Sequence, residues 1–133
     1  DEILESNHFD YVLDCIDSVS PKLALIKACR RRKIKIVSSM GAGGKMDPSK
    51  VMVRDLSKTN NCFLAKQIRK RLKKEGITKG FRCVFSTEIQ NERSLKLIYE
   101  SNYKKSFYGT ISYMPALFGL NAAAEVINFL LKK

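Results

Sequence analysis

The sequence predicts an α/β fold, a sheet of short apolar strands with flanking helices, and three observations carry that expectation. Apolar runs at 11–16, 34–37, 51–56 and 81–85 alternate with helix-period stretches at 20–33 and 61–75, the order that builds βαβ units. Asp17 stands where the first run ends, and Ser20-Pro21 signals a helix start directly after it. A carboxylate is therefore expected at the carboxyl edge of a parallel strand, where open α/β sheets bind ligands, although from spacing alone a turn or cap role is the favoured reading of Asp17. At 133 residues there is room for one domain, so these elements are expected to share a core.

Residues 1–9 read as the tail of a helix with no start signal, and His8, the one histidine, has no partners in the sequence that would make it a ligand. The run 11–16 is apolar apart from Asp14 and reads as a strand buried on both faces. In the helix at 20–33, Leu23 and Ile26, with Ala24 and Ala28 beside them, can face a sheet. Arg30-Arg31-Arg32-Lys33 suits the negative end of its dipole. Ile34–Val37 is the second strand. Gly41-Ala42-Gly43-Gly44 then invites a phosphate-loop reading, which fails because Lys45-Met46-Asp47-Pro48 continues as a turn and opens no helix. Glycine-rich backbone at a strand end still permits close approach of a ligand.

Val51–Leu56 is the third strand, with Val51 and Val53 on one face. Leu64, Ile68 and Leu72, with Ala65, give 61–75 an apolar stripe, and Gly76 ends the helix. Its other faces carry Lys66, Arg69, Lys70, Arg71, Lys73 and Lys74, with Glu75 the one nearby counter-charge, which makes this helix the candidate nucleic-acid contact. Phe81–Phe85 is the fourth strand, and Ser86-Thr87-Glu88 at its end reads as a loop anchor or as site material. Residues 89–108, with Tyr99, Tyr103, Tyr108, Lys96, Lys104 and Lys105, read as a long loop or a weakly specified helix. The run 115–131 is the most apolar; interrupted by Asn121, Glu125 and Asn128, it reads as a helix packed on the sheet, with membrane association the alternative.

An apolar fraction of 44% and a charged fraction of 29% are those of an ordinary globular chain, but the formal charge of +12 favours a polyanionic partner. Cys15, Cys29, Cys62 and Cys83 form no Cys-x-x-Cys pair, so free thiols, a reducing cytoplasmic setting and no structural zinc are expected.

Asp10-Tyr-Val-Leu-Asp-Cys-Ile-Asp-Ser18 resembles the strand-plus-aspartate motif of the ubiquitin-activating-enzyme-like superfamily, the ThiF, MoeB and HesA proteins. Ser38–Pro48, Val53–Thr59, Cys83–Glu88 and Pro115–Leu120 together resemble its tRNA threonylcarbamoyladenosine dehydratase branch. The resemblance implies a Rossmann-like sheet of ThiF type, ATP and magnesium as cofactors, and a homodimer acting on tRNA and not on DNA. It implies that Asp17 lies beside the triphosphate as catalytic and metal residue, with Ser18, Gly41, Gly43 and Gly44 near the nucleotide. Cys62-Phe63 departs from the Asp-Pro that this branch carries there, which argues against a role for Cys62. The superfamily's first half, with its Gly-x-Gly-x-x-Gly loop and its phosphate-binding arginine and lysine, has no match here. Residues 1–133 are therefore expected to be the C-terminal part of one adenylating domain, inactive alone and prone to self-associate through uncovered sheet edge. The implied reaction is ATP-dependent cyclisation of the threonylcarbamoyl side chain of a tRNA adenosine beside the anticodon. The alternatives are adenylation of a ubiquitin-like sulfur-carrier C-terminus, which the absence of zinc cysteines disfavours, and a non-catalytic basic RNA-binding module.

Overall fold

A computed structural model describes residues 2–89 and 110–132. Its elements in chain order are α1 (Glu2–Ser6), β1 (Val12–Asp14), α2 (Val19–Arg31), β2 (Ile36–Ser39), β3 (Val51–Asp55), α3 (Phe63–Lys73), β4 (Arg82–Ser86) and α4 (Tyr113–Leu131). Short 3-10 turns at Pro48–Lys50 and Leu56–Lys58 bracket β3. The four strands form one sheet in the order β1-β2-β4-β3, so the mixed α/β expectation holds.

Strands β1, β2 and β4 run parallel, with Val12 opposite Ile36 and Val37 opposite Arg82. β3 lies antiparallel to β4, pairing Val51 with Ser86. The reason is the connection: residues 40–50 contain no α-helix, and a parallel return needs a crossover of about a dozen residues or more, usually helical. The chain therefore re-enters the sheet from the end at which β2 left it. Residues 56–61 then climb back, because the Asn61 amide reaches Thr87 O at the carboxyl end of β4 (2.6 Å).

Alternation along the central strands divides the core in two. Ile36, Cys83 and Phe85 face α2 and α3 and pack with Leu23, Ile26, Ala65, Ile68 and Leu72. Val37 and Val84 face the other way, onto Met114, Phe118, Ala122 and Val126 of α4, with Val51 and Val53 alongside. These four α4 residues, spaced by four, are the helix's buried stripe. The apolar run at 115–131 is thus a sheet helix, but a half-buried one: Leu120, Ile127 and Leu131 are exposed. α4 is also long and apolar enough, by length and composition, to cross a membrane.

Several boundaries and faces differ from the sequence reading. β1 covers only Val12–Asp14 and is not buried on both faces; it is an edge strand, and Leu13 is exposed. α2 begins two residues before Pro21, with Ser18 and not Ser20 at its N-cap, and Ala24 points to solvent while Lys22 is buried. The second strand is displaced by two residues because Ile34 still closes the helix end, its N–H bonding Cys29 O. Glu75 pairs with Lys27 of α2 (3.0 Å) and leaves α3 without that counter-charge. The C-terminus of α3 is as expected: Gly76 takes φ +76° and Ile77 N–H reaches back to Leu72 O. The stretch with Tyr99, Tyr103 and Tyr108 lies outside the described residues.

Asp55 joins the two chain reversals at the amino-terminal edge. Its carboxylate accepts Ser57 N–H and Oγ–H, and Gly80 N–H at 2.9 Å. Burial pushes the Asp55 carboxyl up, but the Ser57 and Gly80 hydrogen bonds outweigh it and hold the group below its ordinary value. A carboxylate depressed in the folded state adds stability above its unfolded pKa and loses it as pH falls through the folded one. Asp55→Asn is therefore expected to destabilise by about 1 kcal/mol at neutral pH. In urea denaturation the gap to the parent should close as pH drops below about 4.

Candidate functional site

Parallel strands end together, and here the ends of β1 and β2 are fastened by a buried ion pair. Lys22 and Asp14 have no exposed side-chain surface, and Lys22 Nζ lies 2.9 Å from Asp14 Oδ2. Nζ also donates to Ile16 O (2.9 Å) and Ser39 O (2.6 Å), which uses all three ammonium protons. Asp14 accepts Ser38 Oγ–H (2.6 Å) on one oxygen and Ile16 N–H (2.9 Å) on the other. Both backbone polar groups of Ile16 are thus held, and the next residue is Asp17. A buried pair repays its desolvation only when such additional bonds are made, and here they are complete.

A second buried lysine fastens the glycine loop. Lys45 is 1% exposed, and its Nζ donates to the carbonyls of Asn61 (2.5 Å), Ser86 (3.3 Å) and Glu88. The Glu88 carboxylate accepts the amides of Met46 and Asp47, the latter at 2.8 Å, and Tyr113 Oη–H donates to Met46 O at 2.6 Å. Burial pushes the Lys45 ammonium below its ordinary pKa, against the opposing pull of Cys62 and Glu88. Gly44, at φ +74°, makes the turn that delivers Lys45 inward. Of the two readings of Ser86-Thr87-Glu88, the loop anchor is the one these bonds describe.

Between these fastenings lies a cavity of about 770 Å³ at the carboxyl edge of the sheet. Asp17, Ser39 and the Gly41–Gly43 backbone line one side, Cys62, Phe63 and Gln67 of α3 another, and Pro115 and Phe118 of α4 the floor. Its size suits a small-molecule ligand. Asp17 is exposed and is its only lining carboxylate among the described residues. Of the residues singled out in the sequence, Asp17, Gly41 and Gly43 meet here. Ser18 stands at the N-cap position of α2, without a side-chain capping bond, outside the lining, and Gly44 is buried in the turn below it. The cavity of about 450 Å³ at the opposite edge, between Tyr11, Lys35, Arg82 and Asp55, contains none of them.

Lys66, Lys70, Arg71, Lys73 and Lys74 are exposed, as the basic-face reading requires. Arg69 is withdrawn from it, folded back onto Thr59 O (3.0 Å) and Thr59 Oγ1. Cys62 is the buried N-cap of α3, its sulfur accepting Ala65 N–H. All four thiols are free, and burial pushes those of Cys29 and Cys83 up, away from reactivity. Among the described residues no three His, Cys, Asp or Glu side chains gather as a metal site. Sequence reasoning missed Lys22, which reads as a surface lysine in the first turn of a helix, and the polar partners Asp14 and Ser38. The available signal was an acid inside an apolar strand, since a buried charge requires a partner.

A mainly parallel sheet with a glycine-lined cavity and one carboxylate at its carboxyl edge defines a ligand-binding α/β protein. The particular group is named by comparison: the ThiF family model matches residues 1–133, and the chain belongs to that family. It is 38% identical over 142 residues to the tRNA threonylcarbamoyladenosine dehydratase of Escherichia coli, covering 94% of this chain and 53% of that protein. It is 36% identical to the Bacillus subtilis enzyme of the same name, covering 92% of this chain and 51% of that one. The crystal structure of the Escherichia coli dehydratase in complex with ATP superimposes with a TM-score of 0.79 at 38% identity, over 96% of this chain and 50% of that chain. Its AMP complex gives a TM-score of 0.81. The chain spans about half the length of these relatives.

Lys22→Met strands the Asp14 carboxylate in the interior and is expected to cost about 3–5 kcal/mol in urea denaturation. Adding Asp14→Asn to that variant should recover part of the loss, because the orphaned charge is then gone.

Proposed function

We propose that this chain supplies one side of the adenylating site of an ATP-dependent tRNA threonylcarbamoyladenosine dehydratase. The observation that carries the reading is the cavity itself, which brings Asp17 and the Gly41–Gly43 backbone together beside the first turn of the basic helix α3. The relatives' name and the ATP and AMP complexes of the Escherichia coli protein support it. The reading makes this chain one part of a domain whose phosphate-binding loop lies in another part, and its activity a property of the two together.

Asp17 fits magnesium of one kind. A lone exposed carboxylate cannot retain the ion by itself, but magnesium is ordinarily held by one or two carboxylates together with substrate phosphates. Asp17 would hold it against the triphosphate, where it would offset charge on the departing pyrophosphate. The tRNA-borne carboxylate attacks the α-phosphate, pyrophosphate leaves, and ring closure on the acyl-adenylate expels AMP. This chain's own groups fix the geometry. The Lys22–Asp14 pair sets the backbone before Asp17, the Lys45 bonds hold the glycine loop open to a ligand, and Phe118 and Pro115 exclude water from the floor. The exposed lysines of α3 hold the RNA. Self-association is part of the same reading, supported by the open edge of β1 and the exposed Leu120, Ile127 and Leu131 on α4.

Asp17→Ala, in the protein that contains both parts of the domain, is expected to slow cyclisation by at least about a hundredfold while RNA affinity is unchanged. Cyclisation at the parent rate would remove Asp17 from the reaction. Charge reversal at Lys70, Lys73 and Lys74 should instead weaken tRNA binding and flatten its salt dependence, and an unaltered salt slope would remove the basic face.

A further inference from the structure

One group at the cavity rim has no part in the chemistry above. Phe63 opens α3 and lines the cavity, yet 58% of it is exposed. The core contains its neighbours Cys62, Ala65 and Ile68 without it, so the fold does not need this ring. Helical spacing decides what lies behind it. Positions three, four, seven, ten and eleven residues on share its side of the helix, and these are Lys66, Gln67, Lys70, Lys73 and Lys74.

All four lysines are exposed, and none has an ion-pair partner among the described residues, since Glu75 is taken by Lys27. The strip therefore begins with an aromatic face at the cavity and continues as a line of cations for about 12 Å, at a rise of about 1.5 Å per residue. Single-stranded nucleic acid is bound by this combination, a ring on which a base stacks and a positive track for the phosphates. Duplex RNA would meet the lysines but offers no unstacked base to the ring.

We infer that Phe63 is a stacking platform for an unpaired base in the RNA loop, with that loop's phosphates following Lys66, Lys70, Lys73 and Lys74 away from the cavity. This rests on the proposed action on tRNA and goes further, because it gives the strand a direction. The stacked base stands at the rim, so the neighbouring nucleotide is the one delivered to Asp17 and the glycine loop.

The test is fluorescence anisotropy of the protein that contains both parts of the domain with a labelled anticodon stem-loop RNA, and with the same RNA made abasic through the loop. Phe63→Ala should weaken binding of the intact loop about tenfold. It should not change binding of the abasic loop or the slope of log K against log salt, and Phe63→Tyr should bind like the parent. Lys66→Gln with Lys70→Gln should flatten the salt slope for both RNAs by about one unit or more. A merely structural role for Phe63 would lower affinity for both RNAs equally, and that result overturns the inference. Unchanged binding by Phe63→Ala, with the lysine variant still losing its slope, overturns stacking and leaves the basic face intact. If the lysine variant is also unaffected, or the parent binds neither RNA, both readings fall.

Discussion

The buried contact between Lys22 and Asp14 is the constraint on which the carboxyl edge depends. It joins β1, α2 and β2 through one ammonium group, and it uses every donor that group has. Removing charge from water is unfavourable, so such a pair persists where its geometry determines something else. Here it sets the backbone at Ile16 and Ser39, the two strand ends between which Asp17 emerges. The carboxylate that faces the cavity is positioned by one that does not.

The same arrangement recurs on the other side of the cavity with different chemistry. The Lys45 ammonium is held by three carbonyls, while the Glu88 carboxylate accepts two amides of the neighbouring turn. The helix-free passage from β2 to β3 is therefore not slack. It is tied to the ends of β4 and α4, and the antiparallel entry of β3 follows from its brevity. The two lysines lie behind the cavity and fix the backbone on either side of it before any ligand arrives, which lowers the ordering cost of binding.

Family membership gives these details a setting. The relatives are about twice as long as this chain, and the superposition on the Escherichia coli dehydratase covers half of that protein. Among the described residues, β1 is an edge strand and Leu120, Ile127 and Leu131 of α4 are exposed. The basic face of α3 lies beside the cavity and not behind it, because the helix begins at the carboxyl edge and descends from there. That placement puts the exposed lysines of α3 next to the cavity.

Much of this was legible in the residues themselves. The 2.0 and 3.6 periodicities gave the strands and helices in order, Gly76 gave the end of α3, and a carboxylate before a helix start gave Asp17 its place at the sheet edge. Strand ends were less legible: Ile34 has a strand's composition yet closes α2 through Cys29, and β1 lacks a second covered face although Val12 and Leu13 are apolar. Tertiary structure alone decided which charges are interior. Lys22, Lys45 and Arg69 are indistinguishable in sequence from the exposed lysines around them, because a long amphipathic side chain takes its environment from partners distant in the chain. Asp14 lies 8 residues before Lys22, but Ser39, Ser86 and Glu88 are assigned only when the strands align. Local pattern fixes which face of an element is apolar; the destination of a charge depends on which carbonyls and carboxylates the assembled sheet brings within hydrogen-bonding distance.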